Sequence, residues 1–177
     1  MQVQRFFATA LVTTTTIFGG VLAAAVPPGR TVELTADDTM KYNVTTINAK
    51  PGEALTVKLT NKGTMPKMAM GHNFVLFKKG VDVQAFTADA VTAGQTDYIP
   101  AKYKPQIIAN TKILGPGESA EVSFTAPKEP GSYTYICSFP GHSVTMKGTL
   151  VVAGAAGADD KKGAAPKAAE KSEKKGK

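Results

Sequence analysis

The sequence predicts an all-β fold, a β-sandwich with antiparallel strands, and three observations support this prediction. Short runs of alternating apolar and polar residues recur through the middle of the 177-residue chain. Glycine and proline repeatedly interrupt these runs, as expected for turns between strands. Hydrophobic residues make up 42% of the chain and charged residues 20%, so a sizeable core can be buried. This composition excludes wholesale disorder, and the single cysteine excludes an intramolecular disulfide framework.

Eight segments have the pattern and length of strands. They are, in chain order, residues 32–34, 42–47, 55–60, 74–77, 107–114, 120–125, 133–137 and 148–152. Pro51-Gly52 is one of the breaks between them, because proline fixes φ and glycine tolerates a positive φ. Residues 81–92 are richer in alanine and less β-like, which predicts a short helix packed outside the sandwich.

The N-terminus has the pattern of a signal peptide. Arg5 precedes an apolar run over residues 6–26, and Ala23 and Ala25 have the spacing of a cleavage site. We therefore expect residues 1–25 to be removed during export, which places the mature protein in the periplasm with no membrane span. An uncleaved membrane anchor is the competing interpretation, since the run is nearly long enough to span a bilayer.

The C-terminus changes composition sharply. Residues 154–177 contain no aromatic or β-branched residue, so we expect a disordered tail, and residues 26–153 remain as the folded domain. Seven lysines against four acidic residues give the tail a net charge of +3, and residues 26–153 also carry +3. This charge is thinly spread and forms no basic stripe with interleaved aromatic residues, which argues against nucleic-acid binding.

The residues that can perform chemistry lie in two short motifs. Cys137, His142 and Met146 share the segment Cys-Ser-Phe-Pro-Gly-His-Ser-Val-Thr-Met, which connects two predicted strands. The only other histidine, His72, belongs to Met-Gly-His-Asn at the start of another predicted strand. The single cysteine and both histidines of the chain are therefore all within these motifs.

One thiolate, two imidazoles and a weakly bound thioether form the ligand set of a blue-copper electron-transfer site. Cu(I) favours soft sulfur ligands, whereas Cu(II) favours nitrogen and a tetragonal field. A rigid site with both ligand types suits both oxidation states, so little needs to move when the electron is transferred. The motifs therefore predict one copper ion bound at a type 1 site.

The spacing of Cys137, His142 and Met146 resembles that of the azurin family of cupredoxins. Four residues separate the cysteine from the histidine, and three more precede the methionine. Met-Gly-His-Asn, the run Ile-Ala-Asn-Thr-Lys-Ile-Leu-Gly at 108–115 and Met-Lys-Gly-Thr-Leu at 146–150 extend the resemblance over roughly residues 31–152. It implies a Greek-key β-sandwich of the cupredoxin type.

The resemblance also implies a role for individual residues. His72, Cys137 and His142 would be the equatorial copper ligands, and Met146 and the backbone carbonyl of Gly71 would be the weak axial ones. The backbone amides of Asn73 and Phe139 would donate hydrogen bonds to the thiolate sulfur.

The implied function is a one-electron shuttle rather than an enzyme. Redox proteins such as c-type cytochromes or oxidoreductases would dock at an apolar rim near His142, and the carrier would act as a monomer. By similarity the rim would include Met65, Met70, Phe139 and Pro140.

The chain departs from the family in three respects. Azurins usually have a disulfide near the N-terminus, which a chain with one cysteine lacks; such a link is worth about 2–4 kcal/mol. Phe74 stands where many azurins have a buried tryptophan, and the lysine-rich tail has no counterpart in the resemblance.

The same residues are compatible with other functions. A copper carrier or storage protein would use the same ligands, and cysteine with histidine also binds Zn²⁺, although methionine is a poor zinc ligand. A catalytic Cys137–His142 pair has no evident third residue to orient the base. A multicopper enzyme would need more histidines. Met65, Met68 and Met70 form either an apolar contact surface or a transient Cu(I) docking site.

Overall fold

The computed structural model describes residues 29–153 and 161–162. Two β-sheets face each other, which confirms the all-β sandwich. Within the described residues the strands are β1 (Arg30–Ala36), β2 (Val44–Ala49), β3 (Ala54–Asn61), β4 (Val75–Phe77), β5 (Ile107–Asn110), β6 (Ser119–Thr125), β7 (Gly131–Ile136), β8 (Lys147–Val152) and β9 (Lys161–Lys162).

The strand order is β1-β3-β6 in the small sheet and β5-β4-β7-β8-β2-β9 in the large sheet. The expectation of purely antiparallel pairing is wrong for two pairs, because β1 is parallel to β3 and β2 is parallel to β8. Strands β1, β2 and β3 alternate between the two sheets. The chain therefore reverses its direction twice between β1 and β3. As a result, β1 and β3 run in the same direction and pair as parallel strands.

The prediction of one strand over residues 107–114 is wrong in its second half, because β5 ends at Asn110. The Thr111 amide donates to the Phe74 carbonyl oxygen at 2.9 Å, and the Thr111 hydroxyl accepts a hydrogen bond from the Phe74 amide at 3.0 Å. Leu114 then forms an isolated bridge with His72. The segment leaves the regular ladder but stays bonded to the residues around His72.

Two α-helices lie among the described residues, α1 (Lys67–Met70) and α2 (Val83–Ala90). Helix α2 confirms the predicted external helix, and Asp82 caps it by accepting a hydrogen bond from the Ala85 amide at 3.0 Å. Helix α1 was not predicted. Short 3-10 turns occur at Gly94–Thr96, Ala101–Gln106 and His142–Val144. None of the helices in the described part is long and apolar enough to cross a membrane.

The buried apolar residues form two clusters on opposite faces of the large sheet. The main cluster fills the space between the sheets and includes Leu34, Leu59, Phe74 and Tyr135. The second cluster lies beneath α2 and consists of Val75, Phe77, Phe86, Ala90, Ile99, Tyr103 and Ile136. Successive side chains of a strand point to opposite faces, so the β4 neighbours Val75 and Leu76 join different clusters.

The first strand is attached without a disulfide. All seven residues of β1 pair with β3, and the Arg30 Nε lies 3.2 Å from the Glu53 Oε1. The predicted signal peptide lies outside the described residues, and so does most of the predicted tail. Within that tail, Lys161 and Lys162 pair antiparallel with β2 at the edge of the large sheet.

Candidate metal centre

The two motifs meet at one end of the large sheet. Cys137 directly follows β7, and Met146 directly precedes β8. These strands pair, with Ile136 opposite Lys147, so the loop between them starts and ends at the same place. Strand β4 pairs with β7 through Val75 and Ile136, which brings His72 to the same end of the sheet.

The structure places His72, Cys137 and His142 around one point. One ligand atom from each residue lies within 4.8 Å of the other two. The Cys137 Sγ is 3.7 Å from the His142 Nδ1, and the centroids of the two imidazole rings are 5.0 Å apart. All three side chains are buried, with His142 only 3% exposed. Two nitrogen donors and one sulfur donor therefore converge in a site largely closed to water.

The two predicted axial residues, Gly71 and Met146, adjoin the three converging residues through the backbone. The Gly71 carbonyl oxygen lies 3.9 Å from the Cys137 Sγ. Met146 is fully buried, and its backbone forms hydrogen bonds with the other two proposed ligands in the same loop, Cys137 and His142. The Met146 carbonyl oxygen accepts from the Cys137 amide at 3.0 Å, and the Met146 amide donates to the His142 carbonyl oxygen at 2.7 Å.

Local backbone geometry explains how the Cys137–Met146 loop can hold three chemically useful side chains. Gly141 has a φ of 83°, in the left-handed region that glycine adopts without steric cost. The 3-10 turn begins immediately afterwards, and the His142 amide donates to the Phe139 carbonyl oxygen at 3.0 Å. His142 is therefore held by its own loop.

Gly71 is required for a different reason, since its φ of −72° is ordinary. A Cβ added here would lie 2.5 Å from the Ile113 Cγ2 and 2.7 Å from the Lys67 carbonyl oxygen. Only a hydrogen atom fits this space. A side chain here would force Ile113 or the Lys67 backbone to shift, next to the carbonyl that faces the sulfur.

Side-chain hydrogen bonds fasten the two motifs together. The Asn73 Oδ1 accepts from the Ser138 amide at 2.8 Å, and the Asn73 Nδ2 donates to the Ser138 Oγ at 2.8 Å. The backbone of His72 exchanges two hydrogen bonds with Leu114, at 3.1 and 2.7 Å. No sequence pattern indicates a role for the Ser138 side chain or for Leu114, because their partners are remote in the chain.

Burial controls the protonation of the cysteine. It raises the pKa of the Cys137 thiol to about 12, although backbone hydrogen bonds from Asn73 and Phe139 oppose part of this shift. The thiol is therefore neutral near pH 7 without a cation. Metal binding has to displace its proton, which makes metal uptake dependent on pH.

Both imidazoles are neutral near pH 7. Burial lowers the pKa of His142 to about 4, and the nearby His72 ring contributes to the same shift. Burial also lowers the pKa of His72, and the neighbouring Asp37 and Asp38 oppose part of this shift. Each histidine therefore keeps a nitrogen lone pair available for a metal ion.

The donor set fits a copper ion. Both nitrogens of the buried His72 ring lack a hydrogen-bond partner among the described residues. Such unpartnered buried polar atoms are costly, and coordination of a metal ion would satisfy one of them. Imidazole together with soft sulfur is a combination suited to copper.

Several apolar side chains in or beside the two motifs lie at the surface. Met65 is 42% exposed, Met68 is 85% exposed, and Val144 is also exposed. The Phe139 ring packs against His142 with a centroid distance of 4.6 Å. A cleft of about 290 Å³ next to it is lined by residues including Met68, Tyr98 and Phe139.

Comparison with known proteins agrees with this geometry. Residues 30–153 match the model of a family described as copper binding proteins, plastocyanin/azurin family. An azurin from Achromobacter denitrificans is 44% identical over 119 residues, which are 65% of this chain and 78% of that protein. Azurin-2 from Alcaligenes xylosoxydans xylosoxydans is 45% identical over 119 residues, or 65% of this chain and 91% of the relative.

Solved structures show the same similarity. An azurin, Az-iso2, from Methylomonas sp. strain J has a TM-score of 0.62 and 36% sequence identity, and the match covers 70% of this chain and 98% of that chain. A reduced auracyanin from Roseiflexus castenholzii has a TM-score of 0.61 and 37% identity, over 70% of this chain and 96% of the other. The resemblance noted in the sequence is therefore confirmed.

Proposed function

Because the chain belongs to the plastocyanin/azurin family of copper-binding proteins, we propose that it is an exported one-electron carrier with a type 1 copper site. The convergence of His72, Cys137 and His142 in a buried pocket is the observation that carries this proposal. The azurins and auracyanin that it resembles support the same conclusion.

We propose that His72, Cys137, His142 and Met146 would hold the copper ion, together with the backbone carbonyl oxygen of Gly71. The 3.9 Å separation between that oxygen and the Cys137 Sγ supports the last assignment. A bound copper ion supplies a Cu(II)/Cu(I) couple that accepts or gives one electron without transforming a substrate.

The protein's contribution is to hold these side chains still. Cys137 and Met146 flank paired strands, and the Asn73–Ser138 hydrogen bonds connect the two motifs. Backbone donors near the Cys137 sulfur favour its thiolate form and tune its charge. Burial excludes water from the ligands, so little solvent has to reorganise when the electron is transferred.

We propose that redox partners reach the centre through the apolar rim. His142 itself is buried, whereas Met68 and Val144, which lie close to the two motifs in the chain, are exposed. Association would then depend on apolar contact, with weak electrostatic steering because the folded domain carries a charge of only +3. Introducing a charge with Met70→Glu should slow reduction by a c-type cytochrome. The exposed Val91→Glu variant, at the end of α2, serves as the matched control and should react normally.

We further propose that the carrier is exported to the periplasm, which the N-terminal signal-peptide pattern supports, and that it acts as a monomer. N-terminal sequencing of the mature protein tests cleavage after Ala25. An intact N-terminus in the membrane fraction would favour the anchor.

Absorption spectroscopy of the copper-loaded protein tests the central proposal. We expect an intense blue thiolate-to-Cu(II) band that disappears on reduction and returns on reoxidation. Cys137→Ser should abolish the band while the protein stays folded by circular dichroism. A colourless protein that binds only Cu(I) and transfers it to a chelator would identify a carrier or storage protein and overturn the proposal.

A further inference from the structure

The loop after α2 contains an unusual backbone feature next to the metal centre. Asp97 and Tyr98 are consecutive and have φ values of 55° and 58°, in the left-handed region. Aspartate visits this region more often than most residues, whereas a bulky tyrosine rarely does. Such conformations cost free energy and persist where the surrounding structure enforces them. The contacts of both residues show what enforces this turn.

The backbone carbonyl of Asp97 joins the two ligand-bearing motifs. Its oxygen accepts a hydrogen bond from the Asn73 Nδ2 at 3.2 Å and another from the Ser138 Oγ at 3.2 Å. Asn73 follows His72, and Ser138 follows Cys137. A residue from outside the sandwich therefore bonds to the immediate neighbour of each of two proposed ligands.

The carboxylate of Asp97 reaches a third segment. Its Oδ1 accepts a hydrogen bond from the Ile113 amide at 3.0 Å. Ile113 lies where a Gly71 side chain would stand, and the next residue, Leu114, exchanges two backbone hydrogen bonds with His72. The same aspartate is thus connected to the segment that supports Gly71 and His72.

The ring of Tyr98 supports His142 through Phe139. The Tyr98 and Phe139 rings pack edge to face with centroids 5.1 Å apart, and Phe139 in turn packs on His142 at 4.6 Å. This contact restricts the movement of Phe139 toward the adjoining cleft, which Tyr98 also lines.

We propose that the Asp97–Tyr98 turn is a positioning element of the metal centre, in which Asp97 braces the segments of His72, Cys137 and Ile113 and Tyr98 holds Phe139 against His142. This inference rests on the proposed function. Neither residue is a ligand; each acts on the ligands through a neighbour. The left-handed conformation is what directs the Asp97 carbonyl toward Asn73 and Ser138 while its side chain reaches Ile113.

Three substitutions at Asp97 separate the backbone conformation from the side-chain bond. Asp97→Asn keeps an acceptor oxygen and tolerates a positive φ, so it should behave like the native protein. Asp97→Gly keeps the conformation and removes the bond to Ile113. Asp97→Ala removes that bond and also disfavours the conformation, so it should displace the carbonyl.

Amide hydrogen exchange of the metal-free protein is the first measurement, and it does not depend on copper chemistry. Asp97→Ala should accelerate exchange at both the Ile113 and Ser138 amides, Asp97→Gly mainly at Ile113, and Asp97→Asn at neither. Unchanged exchange at Ser138 in Asp97→Ala would overturn the bracing role. If Asp97→Ala does not fold, unchanged exchange at Ile113 in Asp97→Gly would do so.

Copper binding by the same variants is the second measurement. Asp97→Ala should lower copper affinity by about 10-fold, which is the lower end of the loss usually seen when a residue that orients a metal ligand is replaced. It should also shift the Cu(II) absorption band. A lower melting temperature with native affinity and spectrum would show a purely structural role and overturn the proposal. A native protein without a blue band would instead overturn the proposed function, while the exchange results would still test the brace.

Tyr98 has its own matched pair of substitutions. Tyr98→Phe keeps the ring and should leave the mobility of the His142 ring, measured by NMR relaxation, unchanged. Tyr98→Asn tolerates the positive φ but removes the ring, so His142 should become more mobile. Equal His142 mobility in both variants would remove Tyr98 from the proposal.

Discussion

The two apolar clusters use the two faces of the same sheet, but only one of them contains the metal centre. Cys137, Phe139 and Met146 belong to the main cluster between the sheets, together with Phe74. The cluster beneath α2 contains none of these proposed site residues and is centred on Phe86. The difference indicates that the metal centre is an extension of the sandwich core, whereas α2 is attached to the outside of the sheet.

The largest expected effect comes from truncating one phenylalanine in each cluster. Phe86→Ala and Phe74→Ala remove fully buried rings, so each should lower the free energy of unfolding by about 3–5 kcal/mol. Phe74 follows Asn73 in the chain, so only Phe74→Ala should also shift the Cu(II) absorption band of the folded protein. Denaturant titration and absorption spectroscopy measure the two effects. Equal band shifts in both variants would contradict the separation of the clusters.

A smaller effect, on copper affinity, is expected from adding a methyl group at Gly71, which lies beside the main cluster. In Gly71→Ala the new methyl group would collide with Ile113 and the Lys67 carbonyl, which should weaken copper binding by about 10-fold or more, measured by competition with a chelator. Gly52→Ala is the control. It has a positive φ but open space around it, so it should cost stability without changing copper affinity. Equal affinity in both variants would show that the site can absorb the methyl group.

Acid should destabilise the metal-free protein through the site histidines. The pKa of His142 is about 4 in the folded protein against an ordinary 6.5, so the unfolded chain binds more protons between these values. The stabilising contribution is present above about pH 6.5 and is lost as the pH falls toward 4. Urea titrations across this window should show the decline, and His142→Gln should reduce it. A free energy of unfolding that is constant across the window would contradict this prediction.

The smallest effect is expected at the exposed methionines. If Met65 and Met68 dock Cu(I), replacing both with leucine should slow copper loading by less than about tenfold, since they are not final ligands. Leucine preserves the apolar surface, so partner reduction should not change. Unchanged loading kinetics under stopped flow would leave these residues as a contact surface only.

Much of the centre could be predicted from the sequence because cysteine, histidine and methionine have distinctive chemistry. Cys137, His142 and Met146 have, within one loop, a spacing typical of a copper-binding loop, and His72 is the only remaining histidine. Turn chemistry also predicted the bend at Gly52, which has a φ of 75°.

The rest depended on contacts between residues remote in the sequence. Strand pairing between β1 and β3 follows from the path of the chain through both sheets, which alternating polarity does not reveal. Asp97 is 24 residues from Asn73 and 41 from Ser138, and an Asp-Tyr pair has no sequence signature of a left-handed turn. Helix α1 has only four residues and buries none of them, so it produces no amphipathic pattern.

The lone cysteine has a consequence for how the molecule matures. Because its sulfur is buried at the metal centre and the chain has no second thiol, no oxidative cross-link can form within the chain. The sandwich is held by strand ladders, packing and pairs such as Arg30–Glu53. The polypeptide can therefore reach its native state without a thiol oxidase or isomerase, and dithiothreitol should not loosen its fold.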